Sequence, residues 1–359
     1  MNAGNSLPSA RLRSLQPLAR IAALADPGSV VPLETPRASP WLARFGIAAQ
    51  ADDGVATARL TLEGKPVLAA AQDERFVGGS IGARHGEALE GLFRRAIDER
   101  PAAVILLMAS GGVRLFEANA AELAASRALR ALLDARAAGV AVVAVGIGDV
   151  FGGASVIACA GASLAMLPSA RIGLSGPRVI ETARGCGEVD ASDTAAVEAL
   201  FGARARAAAG DVVLVDDDAP AVRAWLASAI RDAVPFEAQV LDTQARLAAR
   251  SAGVVAPVPR PLLFTGRARV DAADAGGYTW RVDDALVTAP FTGRAFDGAS
   301  VHALDSALLG TVTEGPMPPI VVTEDSTGHD VSRAAEARFD SRLLAHHAAV
   351  LAYLRQRGA

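Results

Sequence analysis

Apolar and polar positions change their period along the chain, and the changes mark out its elements. Residues 55–62 alternate apolar with polar, the two-residue period of a strand. Gly64-Lys65-Pro66 supplies a turn and residues 67–71 a second strand, so a hairpin is predicted here. Beyond it one plan repeats. A helix is expected from about His85 to Arg100, broken by Pro101. The apolar run 104–108 reads as a buried strand leading into Ser110-Gly111-Gly112 and a helix over about 116–138. A second run, 140–145, leads into the glycine-containing stretch 146–153 and a small-residue helix to about Ala160. Short strands at 163–167 and 172–174 precede Gly176-Pro177 and a further helix. Strand, glycine turn and helix in alternation predict an α/β fold with parallel pairing. No strand–helix junction carries GxGxxG, so a dinucleotide fold fits poorly.

The flanks differ from this plan. Residues 8–25 predict an amphipathic helix ended by Pro27-Gly28, and the prolines of 31–40 predict an extended arm. Residues 192–209 read as helix and 212–215 as strand, and Asp216-Asp217-Asp218 is expected to cap a helix from Pro220. A helix follows over 236–251, then a proline-rich linker at 257–261. The rest has short β-like runs at 278–282 and 285–289, a turn at Ser326-Thr327-Gly328-His329-Asp330, and a last helix over 332–356. His346-His347 on that helix read as part of a solvated face. The expected division is an N-terminal helix and arm (1–54), a central domain (55–256), and a C-terminal extension (262–359) without an assigned role.

Composition narrows the partners. A chain of 359 residues that is 51% hydrophobic and carries a formal charge of −4 is neither disordered throughout nor basic enough to make nucleic acid its main partner. Much of the apolar fraction is alanine, which predicts close helix packing. Lys65 is the only lysine, so a P-loop or Schiff-base lysine is not expected. Two cysteines, Cys159 and Cys186, fall short of a zinc ribbon or a disulfide framework and suit a reducing compartment. Cys159, on a small-residue helix, reads as core. The apolar runs are too short to span a bilayer, and the start lacks a signal-peptide core. The expected address is therefore the cytoplasm, with no membrane partner.

The chemistry lies in the glycine turns. Ser110-Gly111-Gly112-Val113 and Phe151-Gly152-Gly153 each follow a buried strand and precede a helix. Glycine lets the backbone turn sharply and approach a ligand, and amides at a helix start lack partners within the helix. Two such turns face to face would form a main-chain oxyanion hole, with Gly111, Gly112, Val113, Gly152 and Gly153 as donors. Each donor would contribute about 3–4 kcal/mol where water is excluded. The plainer alternative is a pair of tight strand–helix turns.

A family resemblance adds to this reading. Ser110 to Glu117, Phe151-Gly152-Gly153-Ala154-Ser155, and Ala170-Arg171-Ile172-Gly173-Leu174-Ser175-Gly176-Pro177-Arg178-Val179-Ile180-Glu181 resemble the carboxyltransferase branch of the crotonase superfamily. Within it the chain is most similar to the β subunits of biotin-independent malonate decarboxylases, over about residues 10–255. Ser39-Pro40-Trp41-Leu42, the stretch 50–54, Gly78-Gly79-Ser80-Ile81-Gly82, Asp190-Ala191-Ser192-Asp193 and Val215-Asp216-Asp217-Asp218 add to the likeness.

The resemblance implies a crotonase-like β-β-α superhelix with the C-terminal segment appended. It implies a γ subunit sharing the active site, an acyl-carrier-protein subunit, and an acyl-carrier transferase (α) subunit. The substrate would be a malonyl thioester on the carrier's CoA-like prosthetic group, decarboxylated to the acetyl thioester and carbon dioxide, with no cofactor or metal held by this chain. His85 and Glu117 are candidate proton donors to the carbanion; a surface or helix-start histidine, and for Glu117 an ion pair with Arg114 or a backbone cap, are the structural alternatives. Gly79, Ser80, Ser175 and Gly176 are expected to line the substrate, with Arg171 and Arg178 meeting a phosphate of the arm or an acidic carrier. Two alternatives stand beside this: the β half of a biotin-dependent acyl-CoA carboxyltransferase, and a non-catalytic scaffold subunit.

Overall fold

The computed structural model describes residues 11–33, 38–250, 270–272, 279–283, 285–288, 294–296, 298–312, 317–322 and 326–359. They divide into two units, Met1–Val234 and Pro235–Ala359. The division falls ahead of the helix expected over 236–251 rather than after it. The 257–261 linker lies outside the described residues.

In the N-terminal unit the elements run α1 (Pro17–Leu24), β1 (Val31–Pro32), β2 (Val55–Leu62), β3 (Lys65–Gln72), α2 (Ala83–Glu99), β4 (Ala103–Ser110), α3 (Asn119–Ala137), β5 (Ala141–Phe151) and α4 (Gly153–Cys159). They continue with β6 (Ser163–Met166), β7 (Ile172–Gly173), α5 (Pro177–Arg184), α6 (Thr194–Phe201), α7 (Ala203–Ala208), β8 (Val213–Leu214) and α8 (Ala219–Arg231). The sheet order is β1-β2-β3-β4-β5-β6-β8, with β7 also on β5. β1–β2 and β2–β3 are antiparallel, and every later pair is parallel. This is the crotonase-like spiral that the resemblance implies.

The apolar run in β4 is explained by its place. All eight residues are buried, with strands on both sides and helices above. α2 crosses α3 closely enough that a Cβ on Gly86 would sit 2.7 Å from the Ala124 Cβ. Small residues thus draw the helices together, as the alanine content predicts.

Some boundaries differ from the sequence reading. β5 runs on through Gly146 and Gly148, where a loop was expected, because its far half pairs with β7 while its near half pairs with β6. The first expected helix is a 3-10 turn (Leu12–Ser14) followed by α1. Gly202 splits the 192–209 helix. Asp218 sits at the start of α8 without a side-chain cap.

The C-terminal unit contains α9 (Phe236–Arg250), β9 (Val270–Ala272), β10 (Thr279–Val282), β11 (Ala285–Thr288), β12 (Arg294–Phe296), α10 (Gly298–Gly310), β13 (Ile320–Val322), β14 (Ser326–His329), α11 (Arg333–Arg338) and α12 (Asp340–Gln356). β9-β10-β11-β13 form one sheet, and β12 pairs with β14. Phe339, at φ 61, breaks the last helix in two. His346 and His347 are buried rather than solvated: His346 Nε2 lies 2.7 Å from Gln244 Oε1, and His347 Nδ1 lies 2.6 Å from Asp305 Oδ1. α10 and α9 pack on the face of α12 that carries them. No helix among the described residues is long and apolar enough to cross a membrane.

Candidate functional site

The C-terminal ends of β3, β4 and β5 each give way to a glycine turn, and the three turns touch in a row. Gly111 N–H donates to Gly78 O at 2.8 Å. Gly79 stands so close to β4 that a Cβ would overlap Ala109 O, and its φ of +66° suits glycine. On the other side a Cβ on Gly112 would lie 3.2 Å from Phe151 O, and one on Gly152 would lie 3.2 Å from Gly112 Cα. Both have positive φ, +110° and +59°. The sequence needs glycine here because backbone packs on backbone with no room for a side chain.

The amide inventory then separates the five expected donors. Gly111 N–H is taken by Gly78 O, Gly112 N–H by Ser110 Oγ at 3.2 Å, and Gly152 N–H by Leu174 O at 3.1 Å. These three hold the turns in place and are not available to a ligand, which corrects their expected role. The amides of Val113 and Gly153 have no acceptor among the described residues. Both residues are half-buried, and a Cβ on Gly153 would sit 3.0 Å from Val113 Cγ2. Two neighbouring, reachable N–H donors from two strand ends are what a carbonyl oxygen gaining negative charge requires.

Beneath the row lies a buried ionic cluster. Arg114, the residue after Val113, is 1% exposed; Asp53 is 0% and Glu117 1% exposed. The Arg114 guanidinium donates to Asp53 Oδ1 at 3.0 Å, Glu117 Oε1 at 2.9 Å and Ser80 O at 3.0 Å. The two carboxylates also serve the start of α2. Glu117 Oε2 accepts from Ala83 N at 2.7 Å, and Asp53 Oδ2 from His85 N at 3.1 Å. Negative charge at a helix N-terminus is favourable, so the cluster locks α2 to the Val113 turn. Burial pushes the Asp53 carboxyl up, opposed by the charge of Arg114.

His85 and Glu117 therefore take structural roles, correcting the expectation that either donates the proton. Both are enclosed, and Glu117 is held by Arg114 and Ala83. His85 Nε2 lies 3.2 Å from Gln72 Nε2, so the ring accepts there as a neutral imidazole. Burial, and then the nearby Arg114 charge, push its pKa from 6.5 down to about 3. Between those values the unfolded chain holds a proton that the folded chain refuses, so stability is lost as pH falls through that window. About 2 kcal/mol should be lost between pH 7 and pH 5 on this account. Urea unfolding at both pH values should show His85→Gln losing about that much less than wild type on acidification.

The remaining expected residues flank the row. Ser80 is buried, with its hydroxyl donating to Val77 O at 2.7 Å and its carbonyl held by Arg114. Ser175 is buried, and Gly176 lies against the Phe151 ring, so α5 starts beside the Gly152 turn. Arg171 is engaged by Glu198 at 2.7 Å and Asp149 at 4.0 Å, and is not a free phosphate ligand as expected. Arg178, in the first turn of α5, is exposed and has no acidic partner among the described residues. Asp53 and Gln72 were missed. Their signal was faint: polar residues at the ends of β-like runs, at positions that became buried only on folding.

Comparisons agree with this architecture. Residues 14–207 match the carboxyl transferase domain family. The malonyl-S-ACP:biotin-protein carboxyltransferase of Malonomonas rubra is 33% identical over 189 residues, covering 48% of this chain and 59% of that protein. The chain thus spans about three-fifths of that relative. A chain of the Pseudomonas malonate decarboxylase hetero-tetramer, solved with malonate, is 32% identical with a TM-score of 0.63, covering 70% of this chain and 95% of that one. The β subunit of geranyl-CoA carboxylase from P. aeruginosa, at 20% identity and TM-score 0.50, shares the fold over 90% of this chain and 62% of its own. Spiral and turn row together define a crotonase-like fold of the carboxyltransferase type. The chain belongs to the carboxyl transferase domain family, whose members transfer or remove carboxyl groups.

Proposed function

We propose that this chain is the β-type subunit of a biotin-independent malonate decarboxylase, acting on malonyl-S-(acyl-carrier protein). The observation that carries the proposal is the adjacent pair of free amides at Val113 and Gly153. On decarboxylation the bond between Cα and the carboxylate breaks, carbon dioxide leaves, and the electron pair passes into an enolate whose charge rests on the thioester oxygen. The two amides bind that oxygen more strongly in the enolate than in the neutral thioester, which is the differential binding catalysis needs. A proton then returns to Cα to give the acetyl thioester. With His85 and Glu117 locked away, that proton comes from solvent or from a partner chain.

Two further features support a carrier-bound substrate and a partner. Arg178 offers a free guanidinium beside the turns, suited to a phosphate of a CoA-like prosthetic arm. Leu115, just past the Val113 turn, is 83% exposed, and Phe45, which is 55% exposed, stacks on Phe116 at 4.8 Å. Apolar surface at the site's edge fits coverage by another polypeptide, here a γ subunit. Arg178→Ala should raise KM for the carrier-bound thioester about tenfold with little change in kcat, because one charge-assisted hydrogen bond is removed equally from the ground and transition states.

A second reading passes the carboxyl group to biotin on a carrier protein, and the Malonomonas rubra relative favours it by its name. The first half of the chemistry is shared. The complex purified with its companion chains should release carbon dioxide from malonyl thioester without any biotinyl protein. Release only when biotinyl protein is added would reject the first reading in favour of the second.

A further inference from the structure

A buried side-chain contact grips the Val113 turn from both ends, and the reaction proposed above makes no use of it. Ala109, near the end of β4, is fully buried, and neither neighbouring ladder pairs it. The β3–β4 register ends with Ala71↔Leu107, and the β4–β5 register slips between Met108↔Gly146 and Ser110↔Val150. A buried peptide N–H left out of a ladder needs another acceptor. The Gln72 side chain supplies it: Oε1 accepts from Ala109 N at 3.0 Å.

Ala109 N can only donate, so it fixes which way the carboxamide faces. Gln72 Nε2 is thereby turned on His85 Nε2 at 3.2 Å, and as a donor it requires that nitrogen bare. Burial and then the Arg114 charge keep the ring neutral, so its one proton sits on Nδ1. Nδ1 is buried and meets no acceptor among the described residues. The other tautomer would set N–H against N–H at Gln72, so the orphaned donor is the consequence of serving Gln72. Unmet buried donors are rare in native folds and are tolerated where the geometry they secure matters.

Two routes lead from His85 to the turn. Through Gln72 it holds Ala109, ahead of Val113. Through Asp53, which accepts from His85 N at 3.1 Å and from the Arg114 guanidinium at 3.0 Å, it meets the residue after Val113. We infer that Gln72 and His85 are positioning residues: the carboxamide held by His85 sets the path of Ser110–Val113 and so the direction of the Val113 N–H. The effect on rate rests on the function proposed above; the effect on the backbone does not.

Substitutions at Gln72 test this in the full chain. Gln72→Leu removes the acceptor and spares the buried Arg20, which binds the Gln72 main-chain carbonyl. Gln72→Glu keeps one oxygen for Ala109 N and turns the other on His85, which must then carry a proton on Nε2. In isotope-labelled protein, Gln72→Leu should speed Ala109 N–H exchange about tenfold or more and shift the Val113 amide resonance. Gln72→Glu should restore both and protonate His85 Nε2. In the complex with its companion chains, kcat for malonyl-thioester decarboxylation should fall about tenfold with Gln72→Leu at unchanged KM, and recover to within about threefold of wild type with Gln72→Glu.

An unmoved Val113 resonance in Gln72→Leu would overturn the inference, whether or not the complex decarboxylates its substrate. So would a kcat within about twofold of wild type once Ala109 is released, which would leave Gln72 a stabilising residue only. A wild-type His85 that carries its proton on Nε2, or a Gln72→Glu as slow as Gln72→Leu, would overturn it too. Should Gln72→Leu not fold, Gln72→Asn withdraws the same oxygen by one methylene and is read in the same way. An inactive wild-type complex would count against the proposed reaction and leave the resonance test standing.

Discussion

Gly152→Ala should lower kcat for malonyl-thioester decarboxylation by about 10²–10³-fold while leaving the protein folded. Gly152 caps α4 at φ 59 and ψ −142, which an L-residue adopts only under strain. The added methyl would lie 3.2 Å from Gly112 Cα, a backbone atom that cannot swing aside. The two turns must part, and with them the amides of Val113 and Gly153. On the proposed mechanism those donors act mainly on the charged enolate, so kcat should fall further than KM rises. Circular dichroism and steady-state assay of the assembled complex check this. Activity within threefold of wild type, with the fold retained, would remove the amide pair from the mechanism.

Arg114→Met should destabilise the N-terminal unit by about 3–5 kcal/mol, because Asp53 and Glu117 would be left buried without their cation. The midpoint of thermal unfolding should drop by about 10 °C. At least one carboxylate would then have to be protonated, so the variant should recover part of the loss at acid pH. Adding Asp53→Asn and Glu117→Gln should recover more, since neutral amides of the same shape cost less to bury than bare charges. Differential scanning calorimetry of the single and triple variants at pH 5 and pH 7.5 separates these effects. A single variant as stable as wild type at pH 7.5 would show that the cluster holds nothing together.

Much of the spiral was legible because its strands are continuous apolar runs closed by glycine. β4 reads directly from its eight apolar or small residues, and the turns from Gly111-Gly112 and Gly152-Gly153. The resemblance supplied what spacing does not: that these turns belong to a carboxyltransferase fold. Which amides stay free was not legible. It depends on partners remote in sequence, Gly78 O for Gly111 and Leu174 O for Gly152. The burial of His85 was hidden for a related reason. A histidine near a glycine turn reads as reactive, yet the fold encloses it against Gln72 and turns its backbone to Asp53.

Gln72 has an implication for anyone seeking a minimal catalyst. Its side-chain oxygen accepts from Ala109 N at 3.0 Å, its amide nitrogen lies 3.2 Å from His85, and its carbonyl receives buried Arg20 at 2.6 Å. One carboxamide residue is therefore wired to the amino-terminal helix, the helix after the hairpin and the strand that ends in the Gly111-Gly112 turn. Transplanting the bends alone into a foreign scaffold would sever all three tethers. The smallest portable unit must begin ahead of Leu12, some hundred residues before the amides proposed to meet substrate.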